Sequence, residues 1–120
     1  MLLDILENLY CEESFDKKVE ASMKLGEIGA KARTVAFIVF SKNTELRRPV
    51  MYFDVFTHED DVIYVVTDFR YNKEGDRRVI GSLDNAVKFF VKKTLLKSCS
   101  YWAFEDDKFK FEVNRFMDKM

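Results

Sequence analysis

One segment, residues 82–97, constrains the fold of this chain more than any other part of the sequence. Its residues recur at the i, i+3, i+4, i+7 positions that share one face of a helix. This face contains Leu83, Ala86, Val87, Phe90, Val91, Thr94 and Leu95. Ser82 is a favourable N-cap, and Asp84 lies in the first turn, where the helix dipole favours an acid. The pattern predicts an amphipathic helix that packs its apolar face on the rest of the domain.

The other side of this predicted helix carries lysines. With two arginines just before the helix they form a candidate basic face for binding a partner: Arg77, Arg78, Lys88, Lys92, Lys93 and Lys97. Aromatic contacts could come from Tyr71, Phe89 and Trp102. Residues 70–97 hold eight bases and three acids, a net charge of +5, whereas residues 1–30 hold seven acids and three bases, a net charge of −4. The two regions either pair within the fold or leave a charged surface for a partner.

The centre of the chain has the composition of β-strands, being rich in β-branched and aromatic residues. We expect strands at residues 33–40, 50–57, 62–69 and 77–80. The polar segment 41–49 ends in proline and predicts a loop. The acidic turn 59–61 is too short for anything but an antiparallel connection. Gly75 supplies the backbone freedom for the turn before the last of these strands.

The two ends of the chain are less regular. Residues 2–10 have helical spacing of their apolar side chains. In residues 13–31 the four-residue spacing of Phe15, Val19 and Met23 favours a helix to about Leu25, but the alternation from Val19 to Leu25 also fits a strand. Near the C-terminus we expect a hairpin of residues 101–104 and 108–113, because Phe109, Phe111 and Val113 alternate with polar residues.

Together these elements predict one domain, residues 1–120, of the α+β class. We expect an antiparallel sheet, made of a meander and the C-terminal hairpin, with the N-terminal helical segment and the amphipathic helix packed on one face. A chain of 120 residues can bury a hydrophobic core without metals or disulfides.

The cysteines and the apolar segments bear on location. Cys11 and Cys99 are far apart and do not form a C-x-x-C pair. The N-terminus lacks the basic region of a signal peptide, and no apolar run reaches the ~18 residues of a membrane span. We therefore predict a cytoplasmic protein with two free thiols and no membrane partner.

Residues that could support catalysis are few. His58 is the sole histidine, next to the acidic turn 59–61, and a second acidic turn lies at residues 105–107. Neither cysteine has a histidine nearby in sequence, and phosphate-binding glycine motifs are absent. We expect no catalytic residues, no cofactor and no bound metal.

Three functional hypotheses follow. The first is a non-enzymatic protein-binding module, such as a regulator, inhibitor, adaptor or chaperone-like accessory factor. It rests on the lack of a catalytic constellation, the small size, the uneven charge and the 12 phenylalanines, of which any that the core cannot hold would be left on an interface. The small size also fits a phage or mobile-element accessory protein, as does the abundance of Lys, Phe, Tyr, Ile, Asn and Met, a bias typical of an AT-rich genome. A homo-oligomer is also possible under this hypothesis. The second hypothesis is nucleic-acid binding through the basic face of residues 77–97. The third is a metal-dependent hydrolase that uses the two acidic turns.

Overall fold

The computed structural model describes residues 1–39, 51–70, 73–94 and 101–119, with backbone alone for residues 37–39, 93–94 and 101–104. Its elements, in chain order, are α1 (Leu2–Tyr10), α2 (Phe15–Glu27), β1 (Lys31–Val39), β2 (Met51–His58), β3 (Asp61–Asp68), β4 (Asp76–Ile80), α3 (Leu83–Thr94), β5 (Tyr101–Phe104) and α4 (Asp107–Asp118). The predicted loop 41–49 and the predicted end of the helix at residues 95–97 lie outside the described residues.

The strands form one sheet in the order β4-β3-β2-β1-β5, and all their pairings are antiparallel. Strands β1 to β4 are the meander that the sequence predicts. The β2–β3 connection is tight, and Glu59 adopts a left-handed conformation there (φ 54°). The α+β class with an antiparallel sheet is therefore confirmed.

Different helices cover the two faces of the sheet. Side chains alternate along a strand, so Met51 and Phe53 point to one face and Phe56 to the other. Helices α3 and α4 cover the first, whose core consists of Val35, Ala36, Met51, Phe53, Val66, Ala86, Val87, Phe90, Val91, Phe109 and Val113. We call it the α3–α4 face. Helix α1 covers the opposite α1 face, where Leu2 and Leu6 pack on Phe56, Ile63 and Val65. The domain thus has two helical layers rather than the single layer expected.

Helix α3 begins as the sequence predicts. The Ser82 hydroxyl accepts a hydrogen bond from the backbone N–H of Asn85 at 3.1 Å, which caps the first turn. Phe90 is fully buried and packs edge-on to the ring of Phe53, with 5.3 Å between ring centroids. The apolar face of this helix therefore anchors the α3–α4 face of the sheet.

The predicted C-terminal hairpin is wrong, because residues 107–118 form helix α4. Asp106 caps this helix by accepting a hydrogen bond from the backbone N–H of Phe109 at 2.9 Å. Phe109 and Val113, four residues apart, are buried together, while Phe111 is 63% exposed. A helical period therefore fits the burial, and the two-residue alternation does not. Strand β5 exists, but its partner is β1.

The ambiguous segment 13–31 is mainly helical, so the strand alternative is wrong for residues 15–27. The Ser14 hydroxyl accepts a hydrogen bond from the backbone N–H of Lys17 at 3.5 Å and starts α2. Gly29 then takes a positive φ of 70° and turns the chain into β1. Among the described residues, no helix combines the length and the apolar character that a membrane crossing needs.

Candidate interaction surface

Helix α2 lies on the outside of the domain and packs mainly against α1. Ala21 is its one buried side chain, and Leu25 and the following Ile28 add partly buried contacts to the cluster around Leu2 and Leu6. These residues recur at three- and four-residue intervals, so they form the inner face of α2. The other side of the helix is left facing outward.

Three large apolar side chains lie on that outward side. Phe15 is 76% exposed, Val19 42% and Met23 63%. They are spaced four residues apart, so they line up along one side of the helix. We call Phe15, Val19 and Met23 the outer stripe. A contiguous exposed apolar strip on a small domain is typical of an interaction site.

Acidic residues follow one side of the outer stripe. Asp16 and Glu20 precede Val19 and Met23 by three residues each, and Glu27 follows Met23 by four. Residues at these intervals are neighbours on a helix surface. All three acids are exposed. We call Asp16, Glu20 and Glu27 the acidic edge. Lys17 and Lys24 lie beyond it on the side toward α1, where they line a groove with Glu20, and Lys18 lies on the other side of the outer stripe. The negative charge of α2 is therefore confined to one edge of the outer stripe.

The remaining exposed large apolar residues are scattered. Met1, Val62 and Phe111 are 61%, 41% and 63% exposed, and they belong to three different parts of the chain. Isolated exposed apolar residues are normal on a soluble protein. Among the described residues, the outer stripe is therefore the place where exposed apolar side chains line up along one element.

The structure separates the two arginines of the predicted basic face. Residues 77 and 78 are consecutive in β4, so their side chains point to opposite faces of the sheet. The guanidinium of Arg77 lies on the α1 face, 5.0 Å from the ring centroid of Tyr10 and 5.9 Å from that of Phe69. The guanidinium of Arg78 lies on the α3–α4 face, 5.2 Å from the ring centroid of Phe89. Arg77 is thus not part of a surface with α3.

Part of the basic face does come together. Lys88 and Lys92 are exposed on α3, and Phe89 lies between them in sequence, beneath Arg78. A groove beside Lys88 is lined by two further bases, Arg115 and Lys119, and by two acids, Asp84 and Glu112. Arg115 donates a hydrogen bond to Glu112 at 2.8 Å, so the charges of this surface are mixed. The side chain of Lys93 and the residues Lys97 and Tyr71 lie outside the described part of the structure, as does the Trp102 side chain.

A second groove, which sequence patterns do not reveal, lies at the end of α1. It has a volume of about 360 Å³, and its lining includes Tyr10, Tyr52, Asp54 and Arg77. The Thr34 hydroxyl donates a hydrogen bond to Asp54 at 2.6 Å. Burial raises the pKa of Asp54, while Thr34 and Arg77 oppose that rise. Burial also raises the pKa of Tyr10, against the effect of Arg77. The contact of Arg77 with the Tyr10 ring, at one side of this groove, helps to hold the end of α1 on the sheet.

The acidic turns do not assemble into a metal site in the described residues, where no group of three or more His, Cys, Asp or Glu side chains is placed to hold an ion. Asp106, from the second turn, caps α4 and accepts a hydrogen bond from Arg33 at 2.7 Å. The hydrogen bond from the Phe109 N–H is the main reason why the pKa of Asp106 lies below its ordinary value of 3.8, and Arg33 lowers it further. These contacts make Asp106 a structural residue.

Replacing Asp106 with alanine should lower the free energy of unfolding by about 1 kcal/mol at pH 7, the usual cost of losing a cap. Since the folded-state pKa is lowered, the ionised carboxyl stabilises the fold above the ordinary pKa, and this contribution is lost as the pH falls through the folded-state pKa. Urea unfolding at pH 7 and pH 3 should therefore show a smaller difference from wild type at pH 3. Asp60→Ala, which removes an exposed acid from the β2–β3 turn, is the control. An equal loss at both pH values would contradict this account.

Comparison of the chain with protein-family models, curated proteins and solved structures finds no match.

Proposed function

We propose that this domain is a non-enzymatic protein-binding module that engages its partner through the outer stripe of α2. The observation that carries the proposal is the exposure of Phe15, Val19 and Met23 in one line on a helix whose opposite side packs on α1. A regulator, inhibitor, adaptor or chaperone-like factor acts in this way, by covering a surface of another macromolecule. We also propose a cytoplasmic location, where the exposed thiol of Cys11 would stay reduced.

The energetics favour a partner that contacts more than the outer stripe. Burying a Val, Phe or Met side chain contributes about 1.5–3 kcal/mol, so three of them contribute several kcal/mol. Association itself costs an estimated 4–15 kcal/mol in lost freedom of motion. The outer stripe would therefore form the centre of a binding surface, and polar contacts around it would supply specificity.

The test compares proteins captured from a cell lysate by three tagged forms of the domain. The variant Phe15→Ser with Met23→Gln removes the two most exposed residues of the outer stripe, and glutamine keeps the mid-helix propensity at position 23. Val62→Thr with Phe111→Gln is the matched control, because it removes two exposed apolar residues from other elements. Circular dichroism and thermal unfolding should first show that all three forms are folded.

We expect a protein that wild type and the control capture equally and that the outer-stripe variant captures about tenfold less, a loss of roughly 1.4 kcal/mol. The same protein, once purified, should bind wild type and the control directly with equal affinity, and it should bind the outer-stripe variant more weakly. If all three forms capture an identical set of proteins, the outer stripe is not a binding site and the proposal fails.

Nucleic-acid binding is the second candidate, because Arg78 stacks on Phe89 beside the exposed Lys88 and Lys92. It is the weaker one, since Arg77 points to the opposite face of the sheet and the groove beside Lys88 has mixed charge rather than a continuous basic lining. Nuclease treatment of the lysate before capture separates the two candidates. A nuclease-sensitive association that the outer-stripe variant retains would favour nucleic acid.

A further inference from the structure

We propose that the outer stripe of α2 receives an amphipathic helix whose own apolar stripe is bordered on one flank by lysines or arginines. This inference rests on the proposed function and specifies the chemistry of the partner. Residues at i, i+4 and i+8 form an apolar ridge inclined by about 26° to the helix axis, and a second helix can pack against such a ridge by placing its own ridges in the adjacent grooves. The acidic edge then determines which charge that second helix should carry.

The acidic edge lies where the flank of a docked helix would pass. Asp16, Glu20 and Glu27 are exposed, and they neighbour Val19 and Met23 along the helix surface. A partner helix with basic residues on that flank would form ion pairs at the border of the interface, where charge mainly sets specificity and association rate. The N-terminal thirty residues have a net charge of −4, which adds a longer-range attraction for a basic partner.

A second copy of the chain fits this surface less well. In a two-fold antiparallel pairing of α2 with α2, Val19 would lie near the axis and Phe15 would pack against Met23 of the second copy. Matching flanks face each other in that arrangement, so each acidic edge would meet an acidic edge. Like charges placed opposite one another across an interface are unfavourable. The charge pattern thus disfavours this self-association and favours a basic partner.

The experiment is a selection from displayed peptide helices. Each peptide has about 18 residues, or five helical turns, with a fixed leucine stripe and with flanking positions randomised among Lys, Glu and Gln. Selections use four forms of the full chain: wild type, the outer-stripe variant Phe15→Ser with Met23→Gln, the charge-reversal variant Glu20→Lys with Glu27→Lys, and a control, Asp60→Lys with Glu105→Lys. The control makes the same change in net charge at exposed residues away from α2.

The charge-reversal variant leaves Asp16 in place, because an acid in the first turn supports the helix. The lysine introduced by Glu27→Lys would lie at the C-terminal end of α2, where the helix dipole favours a base. The lysine introduced by Glu20→Lys would lie beside Lys17 and Lys24, and this like-charge repulsion is small on an exposed helix surface, so the helix should persist. Unchanged circular dichroism would confirm this before selection.

Wild type and the control should enrich lysine over glutamate at the flanking positions by about fivefold to tenfold. The charge-reversal variant should enrich glutamate instead, and the outer-stripe variant should enrich neither. Enrichment that depends on Phe15 and Met23 but ignores charge would overturn this inference while leaving the proposed function intact. No enrichment over the outer-stripe variant would overturn both. Light scattering adds one more decisive outcome: a dimer that the outer-stripe variant abolishes would show that the stripe binds a second copy.

Discussion

Replacing Phe53 with alanine should be among the most damaging single substitutions in this domain, lowering the free energy of unfolding by about 3–5 kcal/mol. Phe53 is fully buried in β2 on the α3–α4 face. Its ring centroid lies 4.1 Å from that of Phe109 in α4, 5.3 Å from that of Phe90 in α3 and 5.7 Å from that of Tyr64 in β3. This one side chain therefore contacts both helices of the layer and a neighbouring strand.

The expected loss has two sources. Removing a phenylalanine ring forfeits the transfer free energy of its apolar surface, and it leaves a cavity that close-packed neighbours only partly fill. Small domains have a total stability of about 5–15 kcal/mol, so such a loss is a large share of the whole. Urea unfolding followed by circular dichroism measures it directly.

Phe111→Ala is the matched control for Phe53→Ala. Phe111 is also a phenylalanine within a regular element, but it is 63% exposed on α4. Its replacement should change the free energy of unfolding by no more than about 0.5 kcal/mol. If the two variants lost equal stability, Phe53 would not be at the centre of the core.

The parts of the fold that the sequence predicts best are those where one period explains every apolar residue. In α3 the spacing from Leu83 to Val91 fits a helix alone, and Ser82 marks its start. The strands of the meander have β-branched and aromatic residues in short blocks separated by turns, which few other arrangements accommodate. In these segments the spacing of the apolar residues and the positions of the cap and turn residues predict the same elements, so the local sequence is sufficient to identify them.

The C-terminal segment shows where a short pattern misleads. Phe109, Phe111 and Val113 alternate as in a strand, but Phe109, Val113, Phe116 and Met117 also match a helix. A window of five residues cannot separate these two periods. The Asp106 cap and the longer window decide for the helix, at the cost of leaving Phe111 exposed.

The candidate surface on α2 depends on information that local sequence does not contain. This helix has two apolar sides, one with Ala21 and Leu25 and one with Phe15, Val19 and Met23. Which side is buried depends on where α1 lies, and that is decided by the packing of α1 on β3 and β4. The separation of Arg77 from Arg78, in contrast, follows from strand alternation alone and could be predicted as soon as β4 is recognised.

Replacing Gly75 with alanine should also destabilise the domain strongly, by about 2–4 kcal/mol. Gly75 has a φ of 87°, in the left-handed region that residues with a Cβ rarely adopt. An added Cβ would lie 2.7 Å from Cε1 of Phe69 and 2.9 Å from Cγ2 of Thr67, both closer than carbon atoms normally approach. Backbone strain and steric overlap therefore act together at this turn.

The overlap cannot be relieved locally without disturbing the α1 face. The Phe69 ring lies beneath the guanidinium of Arg77, which also covers the ring of Tyr10 at the end of α1. Arg77 in turn donates a hydrogen bond to the backbone oxygen of Glu74 at 2.8 Å, next to Gly75. A shift of Phe69 away from a new methyl group would thus loosen the contact that holds α1, and with it the support of α2.

Gly26→Ala is the matched control for Gly75→Ala, and it should change the free energy of unfolding in the opposite direction. Gly26 lies within α2, and a Cβ built there meets no atom within 4 Å. Alanine has the higher helix propensity, so this variant should gain up to about 1 kcal/mol of stability. Both changes add one methyl group to a glycine, so a difference in sign isolates the effect of backbone conformation and close contact. If Gly75→Ala were as stable as wild type, the turn before β4 would have to adopt another conformation, and the attachment of α1 through Arg77 would need a different explanation.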